Sequence, residues 1–339
     1  MKKGEFGFHL NWIYVTLIGI VIIISAGGLI SSIKRSAEFD LLTDVKAYVD
    51  NILKNIQMNN DAESEVNLPN VDVLFECDTL TVRSTESSSI PLTDNVLFSP
   101  DKIKNNILGY SLYWYMPFDA EFFSYITSPR VKYTFLESPL SQKLYENVPD
   151  NLNKEITNHP TDYSDEKVYK IRYITFDYLP AINILGEFPH VSDKDVSAIK
   201  IEVIDDAESF PNSFGRVTFH YKKGNNFVAD GQVYYFDKAT LLGVIYSEDN
   251  ARYECNLKKA LAKLGIMATL KKDKIRVFSN DDRYKNCPYE RSMVVLNDLA
   301  TLAGKAEVDQ NTLKAVYDQS KLIKNENILL QRLSCPLIY

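Results

Sequence analysis

Between His9 and Lys34 the chain runs through 24 residues without a charge, LNWIYVTLIGIVIIISAGGLISSI. A segment of that length and hydropathy has few fates. A helix of about 20 residues spans ~30 Å, the hydrocarbon thickness of a bilayer. Trp12 and Tyr14 stand near one end, where amphipathic rings favour a membrane interface. The run predicts one transmembrane helix over 10–33, preceded by a cytoplasmic N-tail over 1–9. The rival is a cleaved secretory signal, with Lys2 and Lys3 as its basic start and Ser25-Ala26-Gly27 as its cleavage site. Apolar residues resume at Leu29, Ile30 and Ile33, which weighs against cleavage. Lys2 and Lys3 on one flank balance Lys34 and Arg35 on the other, so the basic-residue count that orients such a helix is a tie. The terminal amino group tips it towards an extracytoplasmic domain.

The 339 residues suggest two or three folding units, and 45% hydrophobic residues suffice for a core. A net charge of −7, with no basic cluster interleaved with aromatics, excludes the electrostatic footprint of a nucleic-acid binder. Cys77, Cys255, Cys287 and Cys335 are scattered, with no CxxC and no zinc spacing. An even, scattered set fits two disulfides in an oxidising compartment; the plainer reading is four small buried hydrophobes. Spacing leans weakly to Cys255–Cys287 with Cys77–Cys335 left over, and Cys287–Cys335 is nearly as well placed.

Leu42, Val45, Val49, Ile52 and Ile56 recur at intervals of three and four, which predicts an amphipathic stalk helix over 34–58. Its apolar face could pack on its own domain or on a partner helix. NNDAESEVNLPN predicts a linker over 59–70, and alternating VDVLFEC and TLTVR open a β-rich block over 71–129. Inside that block, eight of the 17 residues of Tyr110–Ile126 are aromatic. Tyr110, Tyr113, Trp114, Tyr115 and Phe118 are candidates for a contact surface, weighed against the densest part of a core. The rest, 130–339, reads as an α/β unit with a helical C-terminal part. Arg130–Glu137 and Val168–Leu179 are strands, with a helix between them carrying Leu140, Leu144, Val148, Leu152 and Ile156 despite Pro149. Asp230-Gly231 marks a hairpin turn. Helices are expected over Glu248–Leu264, stopped by Gly265, then over Ile266–Phe278, Tyr289–Ala303 and Asn311–Leu333. The apolar terminus SCPLIY should dock in the core.

Catalytic signatures are missing. There is no GxSxG, HExxH, GxGxxG or GxxxxGK[ST], and His9, His159, His190 and His220 are isolated. Asp205-Asp206 and Asp281-Asp282 are acidic pairs; calcium is the sharper reading and a solvated loop the plainer one. No catalytic, cofactor or metal-binding residue is assigned.

GEFGFHLNWIYV, NVLFSPDKIK with YSLYWYMPF, ATLLGVIYSEDNARYECNLKKAL and the terminal SCPLIY resemble an uncharacterised family of single-pass membrane-anchored proteins of small-genome archaea. The resemblance implies an N-terminal anchor and an exposed domain, and supplies no catalytic residue. Cys255 and Cys335 fall within these pieces, which favours a structural role for them. Lys2-Lys3-Gly4 before a hydrophobic helix is also similar to type IV pilins, although Gly7, His9 and Asn11 depart from that pattern. The combined expectation is a mixed α+β domain with a mixed sheet and helical C-terminal part, behind one transmembrane helix. Its expected role is a non-enzymatic interaction or scaffold protein of the cell envelope, with the membrane and an unknown protein as partners. A pilin-like filament subunit and a tethered surface hydrolase are the alternatives.

Overall fold

The alternation that opens at Val71 forms strands, but strand structure starts earlier than the alternation does. The computed structural model describes residues 18, 20, 23–25, 43–55, 61–84, 87–158, 167–179, 191–305 and 307–339. In it β1 runs from Glu63 to Phe75, so part of the expected linker is sheet. Pairing explains this: Glu63–Asn67 lie opposite Tyr110–Asn106 of β5 (Lys102–Tyr115), and the register shifts between Asn67 and Asp72. β2 (Thr79–Arg83), β3 (Ser87–Pro91), β4 (Val96–Phe98) and β6 (Asp119–Thr127) complete a six-stranded sheet. Its order is β3-β2-β1-β5-β6-β4, antiparallel except for β4 beside β6. Helix α1 (43–55) lays Val45, Val49, Ile52 and Leu53 on Val73, Leu80, Val82, Ile103 and Ile107 of this sheet. The apolar face at 45, 49 and 52 is therefore used within the domain; Leu42 and Ile56 lie outside the described residues.

A second sheet has the order β12-β11-β10-β9-β7-β8. Its strands are β7 (Val131–Leu136), β8 (Lys154–Thr157), β9 (Lys170–Thr175), β10 (Val196–Asp205), β11 (Phe214–Lys223) and β12 (Asn226–Tyr235). β10, β9, β7 and β8 run parallel, whereas β11 and β12 are antiparallel. All six positions of β9 are buried, as expected of a central strand covered on both faces. Between β7 and β8 only Pro139–Tyr145 is helical (α2), and Ile156 belongs to β8. The longer helix expected there does not form, in keeping with Pro149 after α2. The β11–β12 turn also differs from expectation. Lys223 pairs with Asn226 around Gly224 (φ 59°), while Gly231 (φ 137°) lies within β12 at a register shift.

Helix α3 (Lys238–Tyr246) has no amphipathic period because it has no wet side: Ala239 through Tyr246 are all buried. Asp237 caps it, accepting a hydrogen bond from Thr240 N–H at 2.7 Å. α4 (Asn250–Ser279) follows without a stop at Gly265. A Cβ on Gly265 would stand 3.3 Å from the Ala300 carbonyl of α5 (Tyr289–Ala303), so this glycine serves helix–helix approach rather than termination. α6 (Gln310–Arg332) packs on α5, and Ile338 in the terminal segment is fully buried. Ile338 N–H donates to Asn327 Oδ1 at 2.8 Å, and Tyr289 O–H donates to the Pro336 carbonyl at 3.0 Å. One aromatic-rich core joins the two sheets to these helices.

A pair of cations on β9 ties the layers together. Lys170, 4% exposed, reaches Asp101 between β4 and β5 and Glu248 between α3 and α4, both at 2.6 Å. Two residues on, and so on the same face of the strand, Arg172 donates to the carbonyls of Ile245 (3.0 Å), Ser247 and Glu248 (2.8 Å). It thereby satisfies carbonyls at the C-terminal end of α3. Burial raises the Asp101 carboxyl, but the charge and hydrogen bond of Lys170 outweigh it and hold the group below its ordinary range.

The membrane anchor is corrected. Most of 10–33 lies outside the described residues, and among the described residues no helix is long and apolar enough to cross a membrane. The described fold is a mixed α/β domain with C-terminal helices, without the preceding transmembrane helix expected of it. The single-pass topology, the membrane as a partner through such a helix and a cell-membrane location held by it fall with that anchor. The physical reason is that an uncharged apolar run records an aversion to water and does not by itself fix a helix long enough to span a bilayer.

Two outcomes test the packing. Lys170→Met should cost about 2–3 kcal/mol in urea unfolding, less than the ~3–5 kcal/mol of a fully buried broken pair because Asp101 is 45% exposed. Gly265→Leu should cost about 1–3 kcal/mol by forcing α4 off α5.

Candidate functional site

The aromatic segment divides by strand parity. On β5, Trp114 is fully buried and Tyr110 nearly so; Phe118, in the turn after β5, is also fully buried. Tyr110 O–H donates to Asp61 at 2.6 Å, and Trp114 Nε1–H donates to Asp237 at 2.8 Å. Tyr113 is half-buried and packs edge-on against Phe122, with ring centroids 4.4 Å apart. Tyr115 is 55% exposed, edge-on to Tyr339 with centroids 5.9 Å apart. Of the five proposed contact residues, Tyr115 is the one that lines a cleft.

That cleft, of about 570 Å³, opens where the β5–β6 turn, the β10–β11 connection, the start of α3 and α6 meet. Tyr115, Met116, Pro117 and Phe236 give it apolar walls. Asp206, Ser209 and Asn212 come from the β10–β11 connection, and Tyr317, Ser320, Lys321 and Lys324 from α6. The positions 317, 320, 321 and 324 are three and four apart, so one face of α6 presents them together.

The polar floor is organised around Asp206, whose φ of 58° is a left-handed conformation that Asp tolerates. Its Oδ2 accepts hydrogen bonds from the Lys321 ammonium and from Tyr317 O–H (2.7 Å). The Lys321 hydrogen bond leads, followed by that of Tyr317, in holding the Asp206 carboxyl below its ordinary value. Burial pulls the Lys321 ammonium down, but Asp206 and Tyr317 more than offset this, and its pKa is raised. Beside them Lys314 bridges Asp205 (2.7 Å) and Asp318 (2.6 Å). Burial raises the Asp237 carboxyl against the hydrogen bonds it accepts from Thr240 and Trp114. Lys324, exposed at the cleft, makes no ion pair with any described residue.

Asp205 and Asp206 are held by lysines, and Asp281 is bonded to Arg283 at 2.6 Å. His220 sits on β11, its Nδ1 3.1 Å from the Thr218 carbonyl; burial lowers its pKa. His9, His159 and His190 lie outside the described residues. The cysteines join as Cys77–Cys255 and Cys287–Cys335, with Cα separations of 6.1 and 5.9 Å. The favoured Cys255–Cys287 and Cys77–Cys335 pairs do not occur, because the fold lays the β1–β2 turn on α4 across 178 residues. Among the described residues the sulfurs of Cys77 and Cys255, joined here, and a carboxylate oxygen of Asp78 form the one group of three ligand-type atoms close enough together to share a metal ion.

No family model, curated protein or solved structure matches this chain. The resemblance to a membrane-anchored archaeal family, and with it the pilin likeness, is corrected accordingly: no family model matches, and no described helix is long and apolar enough to cross a membrane.

The lowered pKa of Asp206 fixes the sign of its contribution to stability. Its contribution to stability is complete above the ordinary carboxylate range and is lost as the pH falls through the lowered value. Thermal melts of the parent chain and Asp206→Asn should therefore differ at neutral pH and converge in acid. The gap should stay under about 1 kcal/mol, because solvent screens this pair.

Proposed function

We propose that the chain is a non-enzymatic binding domain and that the cleft on α6 takes a small molecule with an apolar or planar body and one anionic group. The carrying observation is the pairing within one cleft of an apolar wall, Tyr115, Met116 and Phe236, with the lysines 321 and 324 one turn apart on α6. About 570 Å³ lies in the size range of small-ligand sites. Lys324 supplies an ammonium that no described carboxylate neutralises, and Ser209, Asn212 and Ser320 add polar contacts at the same opening.

Two features support binding over catalysis. Asp206 is held by Lys321 and Tyr317, and Asp237 by Trp114 and Thr240, so each carboxylate in the cleft already accepts hydrogen bonds from its neighbours. No cysteine or histidine stands among the lining residues to act as nucleophile or base. The fixed network suits a preformed recognition surface more than a proton-transfer site.

Titration calorimetry with a panel of aryl carboxylates and aryl monophosphates tests this. Saturable binding is expected, weakened at least about tenfold by Lys324→Glu and by Tyr115→Ala, since a charge-assisted hydrogen bond is worth ~1.5–3 kcal/mol. Binding that ignores both substitutions, or none across the panel, would remove the proposal. Turnover of any panel member would remove its non-enzymatic half.

A further inference from the structure

The β1–β2 turn and α4 hold a second chemical group, on elements separate from the cleft. Glu76 N–H donates to the Thr79 carbonyl at 2.9 Å, which closes a tight turn with Cys77 and Asp78 at its two central positions. Leu92 N–H donates to the Asp78 carbonyl at 2.7 Å and pins the turn from the other side. Facing it, Cys255 stands in the second turn of the 30-residue helix α4. The two sulfurs and an Asp78 carboxylate oxygen all lie within 4.8 Å of one another. One helical turn beyond Cys255, Lys259 donates to the carbonyls of Cys77 (2.5 Å) and Leu92 (3.0 Å), and its ammonium lies 3.0 Å from Asp78 Oδ1. Both cysteines are only half-buried and Asp78 is exposed, so solutes reach the group.

In the structure the sulfurs are joined. We propose that reduction of Cys77–Cys255 converts this group into a site for a soft divalent cation of the zinc type. Cys77 Sγ, Cys255 Sγ and one Asp78 oxygen are its protein ligands, and water completes the tetrahedron. The chemistry balances. A dithiol reductant delivers two electrons and two protons to the S–S bond and is itself oxidised to a disulfide. The two thiols then release their protons as the thiolates take up one Zn²⁺.

Three observations carry the proposal. The donor set of two thiolates and a carboxylate is one that zinc accepts, and three protein ligands plus water is a recurring zinc arrangement. The geometry is close: ligands ~2.0–2.3 Å from a tetrahedral ion stand about 3.5–4 Å apart, within reach of side-chain rotation from a 4.8 Å cluster. The ligands sit on a hydrogen-bonded turn and a long helix, which limits the cost of ordering them. Lys259 reaches the Cys77 and Leu92 carbonyls as well as Asp78, so its hold on the turn does not depend on the carboxylate alone. The other bridge, Cys287–Cys335, belongs to no such group among the described residues. In both states the same residues clamp the β1–β2 turn onto α4, covalently when oxidised and through the ion when reduced.

The test uses the full chain with Cys287→Ser and Cys335→Ser, so that one cysteine pair remains. The protein is reduced with a trialkylphosphine, freed of reductant and titrated anaerobically with Cd²⁺, whose thiolate charge-transfer absorption reports sulfur ligation. The reduced chain should take up one Cd²⁺ with the signal of two thiolates, and Zn²⁺ should displace it. The oxidised chain should show no such signal. Asp78→Asn should weaken binding at least about tenfold, and Cys255→Ser should abolish the two-thiolate signal. The proposal fails if the reduced chain gives no signal, if Asp78→Asn binds as tightly as its parent, or if the Cys255→Ser variant keeps the signal. Circular dichroism accompanies the titration: a reduced chain that is unfolded and that Cd²⁺ does not restore also overturns it.

Discussion

The ammonium of Lys170 and the guanidinium of Arg172 hold this structure in one arrangement. Both project from the same face of β9, a strand otherwise buried on both sides. Lys170 draws in an acid from the edge of the first sheet and another from the α3–α4 junction. Arg172 satisfies carbonyls at the end of α3 that have no helical partner of their own. Glu248 N–H completes the arrangement by donating to the Ser99 carbonyl at 3.1 Å. Such a network is demanding, because each buried polar group must be matched. In return it sets where the sheets and the helical layer meet, which apolar packing alone does weakly, since packing is largely indifferent to direction.

From that junction the rest follows by packing. α3 is threaded through the core, and its N-cap, Asp237, is anchored by the indole of Trp114 from β5. The same carboxylate therefore caps α3 through Thr240 N–H and holds the end of β5 before the β5–β6 turn, whose Tyr115, Met116 and Pro117 form one wall of the cleft. The opposite wall depends on α6, held against Asp205 and Asp206 by Lys314, Lys321 and Tyr317. The cleft is thus a meeting of four chain segments, each placed for structural reasons of its own. At the far end of α4 the chain closes in a similar way: the terminal Ile338 is buried and the Cys287–Cys335 bridge secures the segment before it.

The surface helices are the part of the fold most legible in the sequence. α5 and α6 each bury one face and wet the other, so their apolar residues keep a helical period, and α6 starts at the capping residue Asp309. α3 escapes the same logic, because a helix that is apolar all round has no period to detect. Gly265 reads as a stop only until Ala300 is known to lie against it. The uncharged run over 10–33 shows the opposite hazard. It is the loudest signal in the chain, yet no described helix is long and apolar enough to cross a membrane, and the tethered readings built on it do not stand.

What the sequence by itself determined is local: strand alternation after Val71, the amphipathic helices, the absence of catalytic motifs and the number of cysteines. Each depends on neighbours a few residues apart, where backbone geometry sets which side chains share a face. The tertiary structure alone decided which cysteines meet, which of the clustered aromatics are buried, and that Asp206, Tyr317 and Lys321, 111 and 115 residues apart in the chain, form one floor. Those outcomes depend on how sheets and helices are laid across one another, and sequence distance carries almost no information about that. The cost of closing a loop grows only with the logarithm of its length, so a bridge across 178 residues is scarcely harder to form than one across 48.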